Sequence, residues 1–336
     1  MHRVISHWNW PSLLQVRRLA RELELDVIDI QYQAAAYGMT PPIHFLPRVT
    51  GVTSLVTFHD LRVPYLFPKA GRLRRRAVLG LARGADGAIV TNPEDEATLM
   101  RAGGVRRIAR VPIGSNIAPE LPADYSREEW RRRLGFAPDD FLIGYFGFLN
   151  ASKGGEILIG ALAKLAAEGR PAHLLLIGGR TGTSDPTNAD YGDQVDALAR
   201  DLGVELITHR TGFVTPPEVS AHLTACDAVV LPYRDGVSFR RGSFMAALAH
   251  GCAIVSTAPA VPLSELRDSE NIRLVPPDDP VACAAAIAEL RASPELRRRL
   301  SQGARSLAME FTWDKIAART VDVFRAVCRA NRGERR

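Results

Sequence analysis

Short apolar runs alternate with longer amphipathic segments along the chain. Runs of this length that are rich in Val, Ile and Leu are typical of buried strands in a parallel sheet. The segments between them carry apolar residues at helical spacing. One begins with a capping residue and a proline, Asn92-Pro93, and a charged segment begins with Ser126, which is suited to cap it. This alternation predicts an α/β protein. The predicted strands are residues 26–32, 54–58, 87–91, 110–113, 141–146, 173–177, 204–208, 228–231, 253–256 and 272–275.

A proline-containing segment, residues 118–124, separates two groups of predicted strands and is typical of a linker. The length of 336 residues also exceeds that of most single domains. We therefore expect two Rossmann-like domains, residues 1–120 and 121–311. A last helix, residues 312–336, follows them.

The stretch 231–257 predicts a strand end, a polar loop, a helix of small residues and a second strand, which form a βαβ unit. Ser243 is suited to cap this helix and Gly251 to end it. Backbone amides at a helix N-terminus attract anions, and Arg240 and Arg241 beside it match phosphate oxygens. We interpret the loop as a diphosphate-binding site, and a surface turn with solvated arginines is the alternative.

The excess of positive charge lies in the first third of the chain. Residues 1–120 hold 16 basic and 10 acidic side chains, which accounts for the whole net charge of +6. Six of these basic residues lie between Lys69 and Arg83, around apolar positions on one helical face. Such a helix can contact an anionic membrane surface, or it packs on its own sheet with a solvated basic side. Nucleic acid is not an expected partner, because no aromatic residues interleave with the basic ones.

Five segments together resemble the retaining family-4 glycosyltransferases of the GT-B fold. They are TFHD with His59, GSN ending at Asn116, the G-x-L-x-x-x-K-G run that begins at Gly147, Gly-Phe-Val at 212–214, and FTWDKIAART at 311–320. The resemblance implies two facing Rossmann-like domains and a last helix that crosses back to the first domain. It also implies that a nucleotide sugar binds mainly to the second domain and the acceptor to the first.

The resemblance assigns roles to individual residues. Lys153 matches the diphosphate-binding lysine of the family and His59 matches a histidine near the donor sugar, so these two are the candidate catalytic residues. Asn116 is a candidate on the acceptor side, and Phe213 and Val214 would present backbone to the nucleobase. The candidate donor-binding residues are Gly147, Phe213, Val214, Ser238, Arg240, Arg241, Gly242 and Ser243.

The chain departs from the family pattern at several positions. An arginine that normally follows Gly147 is Phe148 here, and two glutamates of the family align with Ser238 and Ala246. One of those glutamates contacts the donor sugar and the other the ribose, so the identity of the donor stays open. Two arginines, Arg240 and Arg241, would replace lost positive charge, and Ser238 could hydrogen-bond a sugar hydroxyl.

The start of the chain also departs from the family pattern. Family members begin with a strand and a glycine-rich loop, followed by another strand or two before the segment equivalent to residues 26–32. Here a helix and the sequence HWNW precede that segment. We therefore expect a truncated first domain. A gene start that is assigned too late is the favoured explanation, and a fragment or a reduced acceptor domain are the alternatives.

The resemblance implies a retaining glycosyltransferase that transfers a sugar from a nucleoside diphosphate to a glycan, lipid-linked or small-molecule acceptor. We expect no metal or other cofactor, because no Asp-x-Asp motif lies at a strand end and the four cysteines lack metal-ligand spacing. A cytoplasmic location is expected, since the sequence shows no signal peptide and no apolar run of about 18 residues. The alternative is a catalytically inactive sugar-nucleotide or glycan-binding protein, while an epimerase would need acidic groups that the sequence does not place.

Overall fold

The structure is a computed structural model of the chain, and it describes residues 5–61, 71–179 and 186–334. Contacts between Cα atoms divide the chain into two units. Unit 1 comprises Met1–Ile113 and Trp313–Arg336, and unit 2 comprises Gly114–Thr312. Of the predicted basic helix between Lys69 and Arg83, the structure describes the part from residue 71 onward.

Strands and helices alternate in both units. The strands are β1 (Val27–Tyr32), β2 (Thr53–Phe58), β3 (Gly87–Val90), β4 (Ile108–Arg110), β5 (Leu142–Phe146), β6 (His173–Ile177), β7 (Thr208–Arg210), β8 (Ala228–Leu231), β9 (Ile254–Thr257) and β10 (Arg273–Val275). The helices are α1 (Trp10–Glu22), α2 (Leu46–Val49), α3 (Gly71–Gly84), α4 (Pro93–Ala102), α5 (Arg127–Arg133), α6 (Gly155–Ala167), α7 (Pro186–Asp201), α8 (Pro216–Ala225), α9 (Gly242–Ala249), α10 (Pro280–Ala292), α11 (Pro294–Ala308) and α12 (Trp313–Glu334).

Unit 1 is built on a four-stranded parallel sheet in the order β1-β2-β3-β4. The last helix, α12, covers part of this sheet, because its Ile316 and Val327 pack against Leu55 of β2 and Ile89 of β3. The strands are parallel, so their carboxyl ends lie at one edge of the sheet. The segment that carries His59 begins at this edge, directly after β2.

Unit 2 is built on a six-stranded parallel sheet in the order β10-β9-β8-β5-β6-β7. The chain enters the sheet at β5, proceeds outward to β7 and then returns to β8 on the other side of β5. In open α/β sheets this reversal leaves a crevice outside the carboxyl ends of the two central strands, which is where such sheets bind ligands. The predicted Gly147–Gly154 loop and the predicted phosphate loop follow β5 and β8, respectively.

A buried ion pair holds the opposite, amino ends of β5 and β8. Arg131 of α5 is 3% exposed, and its Nη1 donates to Oδ2 of Asp227 and to the carbonyl oxygen of Ala225, each at 3.1 Å. Asp227 also accepts a hydrogen bond from the backbone N–H of Leu142 at 2.8 Å. These contacts tie α5 to the two strands whose other ends form the crevice.

Most predicted elements agree with the observed bounds to within about two residues, and two predicted helix caps are confirmed. The Asn92 side chain accepts a hydrogen bond from the N–H of Asp95 at 2.9 Å. The Ser126 hydroxyl accepts one from the N–H of Glu129 at 3.4 Å. Both residues precede helices as the sequence pattern indicates.

Two predicted strands are wrong in position. Strand β4 covers Ile108–Arg110 instead of 110–113, and Pro112, which has no N–H for the ladder, lies beyond its end. Residues Glu205–Ile207 form a 3-10 helix instead of a strand, and β7 follows at Thr208–Arg210. Leu206 is 90% exposed, so the apolar residue that suggested a strand does not belong to the core.

Candidate functional site

The loop after β5 places a lysine beside a glycine at the crevice. Gly147 has a φ of +118°, a conformation that favours glycine. A Cβ atom built on Gly147 would lie 3.1 Å from Nζ of Lys153 and 3.6 Å from Cβ of Ser243. The ammonium group of Lys153 therefore lies close to the first turn of α9.

A second glycine lets the loops after β5 and β8 approach each other. Gly154 has a φ of +66°, and a Cβ atom on it would lie 2.1 Å from the carbonyl oxygen of Pro232. Next to this point, the N–H of Arg234 donates to the carbonyl oxygen of Ser152 at 3.0 Å. Backbone contacts thus join the two loops that the sequence predicts to bind the donor.

The charge of Lys153 is held in an unfavourable environment. Burial, and after it the positive charge of Arg241, lower the pKa of Lys153 to about 8. A bound anion would have the opposite effect and raise this pKa, because an opposite charge favours the protonated amine. The position therefore suits a negatively charged ligand.

The guanidinium of Arg241 is held in place by three neighbours. It lies 4.8 Å from the centroid of the Tyr233 ring, its Nη1 donates to Oγ of Ser152 at 3.4 Å, and its Nη2 pairs with the carboxylate of Asp235. The hydroxyl of Tyr233 is hydrogen-bonded to Oγ of Ser243 at 2.7 Å. Sequence reasoning missed Tyr233 and Asp235, although both lie within three residues of Pro232 at the carboxyl end of a predicted strand.

The N-terminus of α9 is available to an anion. Its N-cap residue is Arg241, whose side chain makes no capping hydrogen bond. The prediction that Ser243 caps the helix is wrong, because α9 already begins at Gly242 and the Ser243 hydroxyl is bonded to Tyr233. The predicted helix end is confirmed, with Gly251 at a φ of +61°. The first amides of such a helix attract negative charge.

The loop between β8 and α9 also contains a buried hydroxyl. Oγ of Ser238 is buried and has no hydrogen-bond partner in the described part of the chain. Arg240 is half-buried in the same loop and Gly242 is exposed. A polar ligand atom near Ser238 would supply the missing hydrogen bond, which is worth about 1 kcal/mol or more at a buried site.

The second position that aligns with a family glutamate is closed to a ligand. Ala246 is fully buried in the apolar core of unit 2. A methyl group therefore packs against the core at a position where the family has a carboxylate. The buried methyl group of Ala246 cannot contact a ribose.

Exposed aromatic residues occur in two loops at the carboxyl edge of the sheet. Phe148, where the family has an arginine, is 45% exposed, and Phe213 is 88% exposed. Val214 is partly buried against the core, and Gly212 forms an isolated bridge with Gly178. A contact between 213–214 and a nucleobase stays a prediction.

In unit 1, His59 is the end of a chain of hydrogen bonds. Its Nε2 lies 2.8 Å from Oε1 of Gln31, and Nε2 of Gln31 donates to the carboxylate of Asp29. Asp29 accepts a further hydrogen bond from the hydroxyl of Thr57 at 2.9 Å. Burial raises the pKa of Asp29 above its ordinary value.

This series of hydrogen bonds selects one tautomer of the His59 imidazole. Because the Gln31 side-chain amide donates to Asp29, its carbonyl oxygen faces His59 and accepts a hydrogen bond from the ring N–H. Neutral His59 therefore carries its hydrogen on Nε2 and leaves Nδ1 as the acceptor. The alternation of Asp29 and Gln31 with apolar residues in β1 was a visible sequence signal that the predictions did not use.

Asn116 lies at an exposed position in the segment between β4 and α5. In the turn beside it, Oγ of Ser115 accepts a hydrogen bond from the N–H of Ile117 at 3.0 Å. An acceptor-side role for Asn116 stays a prediction.

Within the described residues 5–61, 71–179 and 186–334, no group of three or more His, Cys, Asp or Glu side chains is placed to hold a metal ion. None of the helices in the same ranges has both the length and the apolar composition needed to cross a membrane. Independence from metals and cofactors stays a prediction.

Known sequences place the chain among glycosyltransferases. The profile of the family described as Glycosyl transferases group 1 matches residues 126–307. D-inositol 3-phosphate glycosyltransferase of Xylanimonas cellulosilytica is 32% identical over 254 residues, which cover 71% of this chain and 57% of that protein. The protein of the same name from Streptomyces bingchenggensis is 30% identical over 260 residues, 75% of this chain and 55% of that protein. The chain spans little more than half the length of these relatives.

Solved structures show the same fold. HepE of Anabaena in complex with UDP aligns with a TM-score of 0.78 over 94% of this chain and 82% of that one, at 21% identity. Sucrose-phosphate synthase of Thermosynechococcus elongatus aligns with a TM-score of 0.73 over 96% and 78% of the chains, at 22% identity. The predicted GT-B fold is confirmed. Since the family profile also matches more than half of its residues, this chain belongs to the glycosyl transferases group 1 family.

Proposed function

We propose that this chain is a retaining glycosyltransferase that uses a nucleoside diphosphate sugar and needs no metal. The observation that carries the proposal is the meeting of Lys153, Arg241 and the first turn of α9 at the crevice between β5 and β8. The acceptor would be a glycan, a lipid-linked sugar or a small molecule.

In this proposal, the cationic groups stabilise the leaving diphosphate. Negative charge develops on the diphosphate when the bond to the sugar breaks, and fixed positive groups at that point lower the barrier. Lys153 and Arg241 would contact the phosphate oxygens together with the backbone amides of Gly242 and Ser243. Arg240 would supply a second guanidinium, and Gly147 would leave space beside the lysine.

The remaining donor contacts are assigned from their places around this site. Ser238 would hydrogen-bond a sugar hydroxyl, because its buried Oγ has no partner among the described residues. Phe213 and Val214 would contact the nucleobase through their backbone. The HepE structures in complex with UDP and with UDP-glucose make UDP the first nucleotide to test.

The roles of His59 near the donor sugar and of Asn116 on the acceptor side rest on the family resemblance. We also propose that the segment from Lys69 to Arg83 makes a peripheral contact with a membrane. It is supported by Leu73, which is 69% exposed, and by the exposed Arg75 and Arg76 on the same helix.

Calorimetric titration with UDP, GDP, ADP and TDP tests the proposal, first with EDTA and then with Mg²⁺. We expect one nucleotide to bind with micromolar affinity in EDTA. The Lys153→Ala and Arg241→Ala variants should each weaken binding about tenfold or more, since hydrogen bonds to charged groups are worth about 1.5–3 kcal/mol. Lys164→Ala is the matched control, because Lys164 forms only a surface pair with Glu168. Failure of every nucleotide to bind a folded sample would refute the proposal.

The alternative is an inactive protein that binds a sugar nucleotide or a glycan. The buried methyl group of Ala246, where the family has a glutamate, favours it. A measurement of nucleoside diphosphate release from a bound nucleotide sugar distinguishes an active transferase from an inactive binding protein. Tight binding without release, over a range of acceptors, would support the inactive protein.

A further inference from the structure

Arg234, in the loop after β8, is bonded to segments that follow two other strands. Its Nη1 donates to Oε1 of Glu156 at 3.0 Å, and its Nε donates to Oδ1 of Asp278 at 2.7 Å. Glu156 lies in the first turn of α6, which follows β5, and Asp278 lies between β10 and α10. One guanidinium therefore joins three segments at the carboxyl edge of the sheet in unit 2. The donor contacts proposed for this edge do not include it.

Glu156 is held from its other side by Tyr191 of α7. The hydroxyl of Tyr191 donates to the carboxylate of Glu156 and accepts a hydrogen bond from the N–H of Gly155 at 3.0 Å. The N-cap residue of α6 is Gly154, which has no side chain to make such a bond. The start of α6 is thus fixed by a residue of α7, and its first amide is already occupied.

The backbone around Arg234 leads directly to the two cations of the crevice. Its N–H donates to the carbonyl oxygen of Ser152, the residue before Lys153, at 3.0 Å. Oγ of Ser152 accepts a hydrogen bond from Nη1 of Arg241 at 3.4 Å, and Asp235, the residue after Arg234, pairs with the same guanidinium. A shift of Arg234 would therefore move the neighbour of Lys153 and both of these partners of Arg241.

The crevice needs such a connection because its two cations repel each other. Burial, and after it the charge of Arg241, lower the pKa of Lys153 to about 8, so the two groups favour separation when no anion lies between them. A bond between the loops opposes that separation. Arginine is suited to this task because its planar guanidinium binds two carboxylates in fixed directions.

We infer that Arg234 is a positioning residue of the donor site, which holds the loops after β5 and β8 at the spacing at which Lys153 and Arg241 bind one diphosphate together. It acts through Glu156 and through the backbone of Ser152, since its guanidinium is already paired with two carboxylates. The inference rests on the proposed function for the identity of the ligand, whereas the spacing of the two cations is measurable without one.

The sign of the effect on nucleotide binding separates positioning from simple attraction. If Arg234 only attracted the diphosphate, Arg234→Met would weaken binding and Glu156→Met, which removes a negative charge, would strengthen it. In the inferred role both variants loosen the same connection between the loops, so each should weaken binding about tenfold. Calorimetric titration with the nucleotide that the unchanged protein binds measures both values.

Arg273 is a matched control in the same unit, because it also bridges two carboxylates, Asp268 at 2.9 Å and Glu289 at 2.8 Å. Its side chain is 27% exposed against 46% for Arg234, and it lies at the amino end of β10, the edge opposite the crevice. Arg273→Met should lower the melting temperature at least as much as Arg234→Met but weaken nucleotide binding less than about twofold. An equal loss of binding in the two variants would show a general loss of stability and overturn the inference.

The pKa of Lys153 reports the spacing without any ligand. The chain contains four lysines, so the Lys153 signal of a protein labelled with ¹³C-lysine can be assigned by comparison with Lys153→Arg. Loosening of the loops admits water and moves Arg241 away, and both changes should raise this pKa from about 8 towards its ordinary value. Loss of the negative charge of Glu156 would by itself lower the pKa, so Glu156→Met separates the two effects.

The two measurements together decide between the outcomes. A raised Lys153 pKa in both Arg234→Met and Glu156→Met supports the inference, even if no nucleotide binds and the proposed function fails. An unchanged or lowered Lys153 pKa in Glu156→Met, or tighter nucleotide binding by that variant, would overturn the inference and leave the proposed function intact.

Discussion

At the scale of single residues, Lys153 shows how the crevice is adapted to an anion. Its ammonium lies near the first turn of α9 and close to a second cation, Arg241, and its pKa is lowered to about 8 by burial and by that charge. Two positive groups are kept together without a ligand because Tyr233 and Asp235 fix the arginine. A diphosphate would relieve the repulsion between them.

The lowered pKa of Lys153 predicts a pH dependence of nucleotide binding. Below about pH 8 the free lysine is protonated and binds the diphosphate fully. Above it, the free protein must take up a proton on binding, so affinity should fall by up to about tenfold per pH unit. Titrations between pH 7 and 9.5 measure this loss. Lys153→Arg, which stays charged, should show a flat profile, and an equally steep profile in that variant would contradict the assignment.

The close approach of Pro232 to Gly154 predicts that Gly154→Ala lowers the free energy of unfolding by more than backbone strain alone explains. Gly154→Ala places a Cβ atom 2.1 Å from the carbonyl oxygen of Pro232, whereas Gly169 has a similar φ of +68° and meets nothing within 4 Å. In urea unfolding, Gly169→Ala should lose about 1 kcal/mol. Gly154→Ala should lose about 3 kcal/mol and bind the nucleotide more weakly, because the loops after β5 and β8 are forced apart. Equal losses would show that the close approach is not essential.

The hydrogen-bond chain from Asp29 through Gln31 predicts the tautomer of His59. Two-bond ¹⁵N–¹H spectra of neutral His59 should show the hydrogen on Nε2. Gln31→Leu removes this acceptor, so a mixture of both tautomers should appear. A spectrum with the hydrogen on Nδ1 in the unchanged protein would contradict the orientation of Gln31.

Among the secondary-structure elements, β5 and β8 have a structural contact at their amino ends and the candidate site at their carboxyl ends. The amino ends are clamped by Arg131 and Asp227, and the carboxyl ends carry the loops with Lys153 and Arg241. This clamp keeps the two strands in register, so that the loops at the other end meet in a defined way.

The clamp predicts a large difference between two arginines of the same helix. Arg131→Ala removes the buried partner of Asp227, which keeps its pair with the more exposed Arg127 at 2.7 Å, and should lower the free energy of unfolding by about 2 kcal/mol or more. Arg132→Ala removes a surface pair with Glu129, in which the arginine side chain is 74% exposed, and should cost less than about 0.5 kcal/mol. Denaturant titrations compare the two. Similar values would mean that Arg131 does not hold the sheet.

At the scale of the whole molecule, nucleotide binding should stabilise the protein by mass action. With the bound nucleotide at a hundred times its Kd, the free energy of unfolding should rise by about 2.7 kcal/mol. Thermal unfolding should show this as a higher Tm, equally in EDTA and in Mg²⁺. A shift seen only with Mg²⁺ would contradict the proposed independence from metals.

Much of the fold could be predicted from the sequence, because the relevant signals are local. Buried parallel strands need continuous apolar runs, and the caps at Asn92 and Ser126 need only a side chain and the next turn of helix. The errors have local causes as well. The exposed Leu206 resembled a core residue, and Ser243 resembled a cap although α9 begins one residue earlier.

Local patterns in the chain are enough to predict the α/β class, the order of the elements, and the place of Lys153 and Arg241 in loops after strands. The folded chain adds which of these groups meet, how Tyr233 and Asp235 hold the arginine, and that the lysine is partly buried. Local patterns cannot supply these facts, because the contacts join segments far apart in the chain. They exist only because the order β8-β5 brings two loops to one crevice, and no pattern within either loop contains that information.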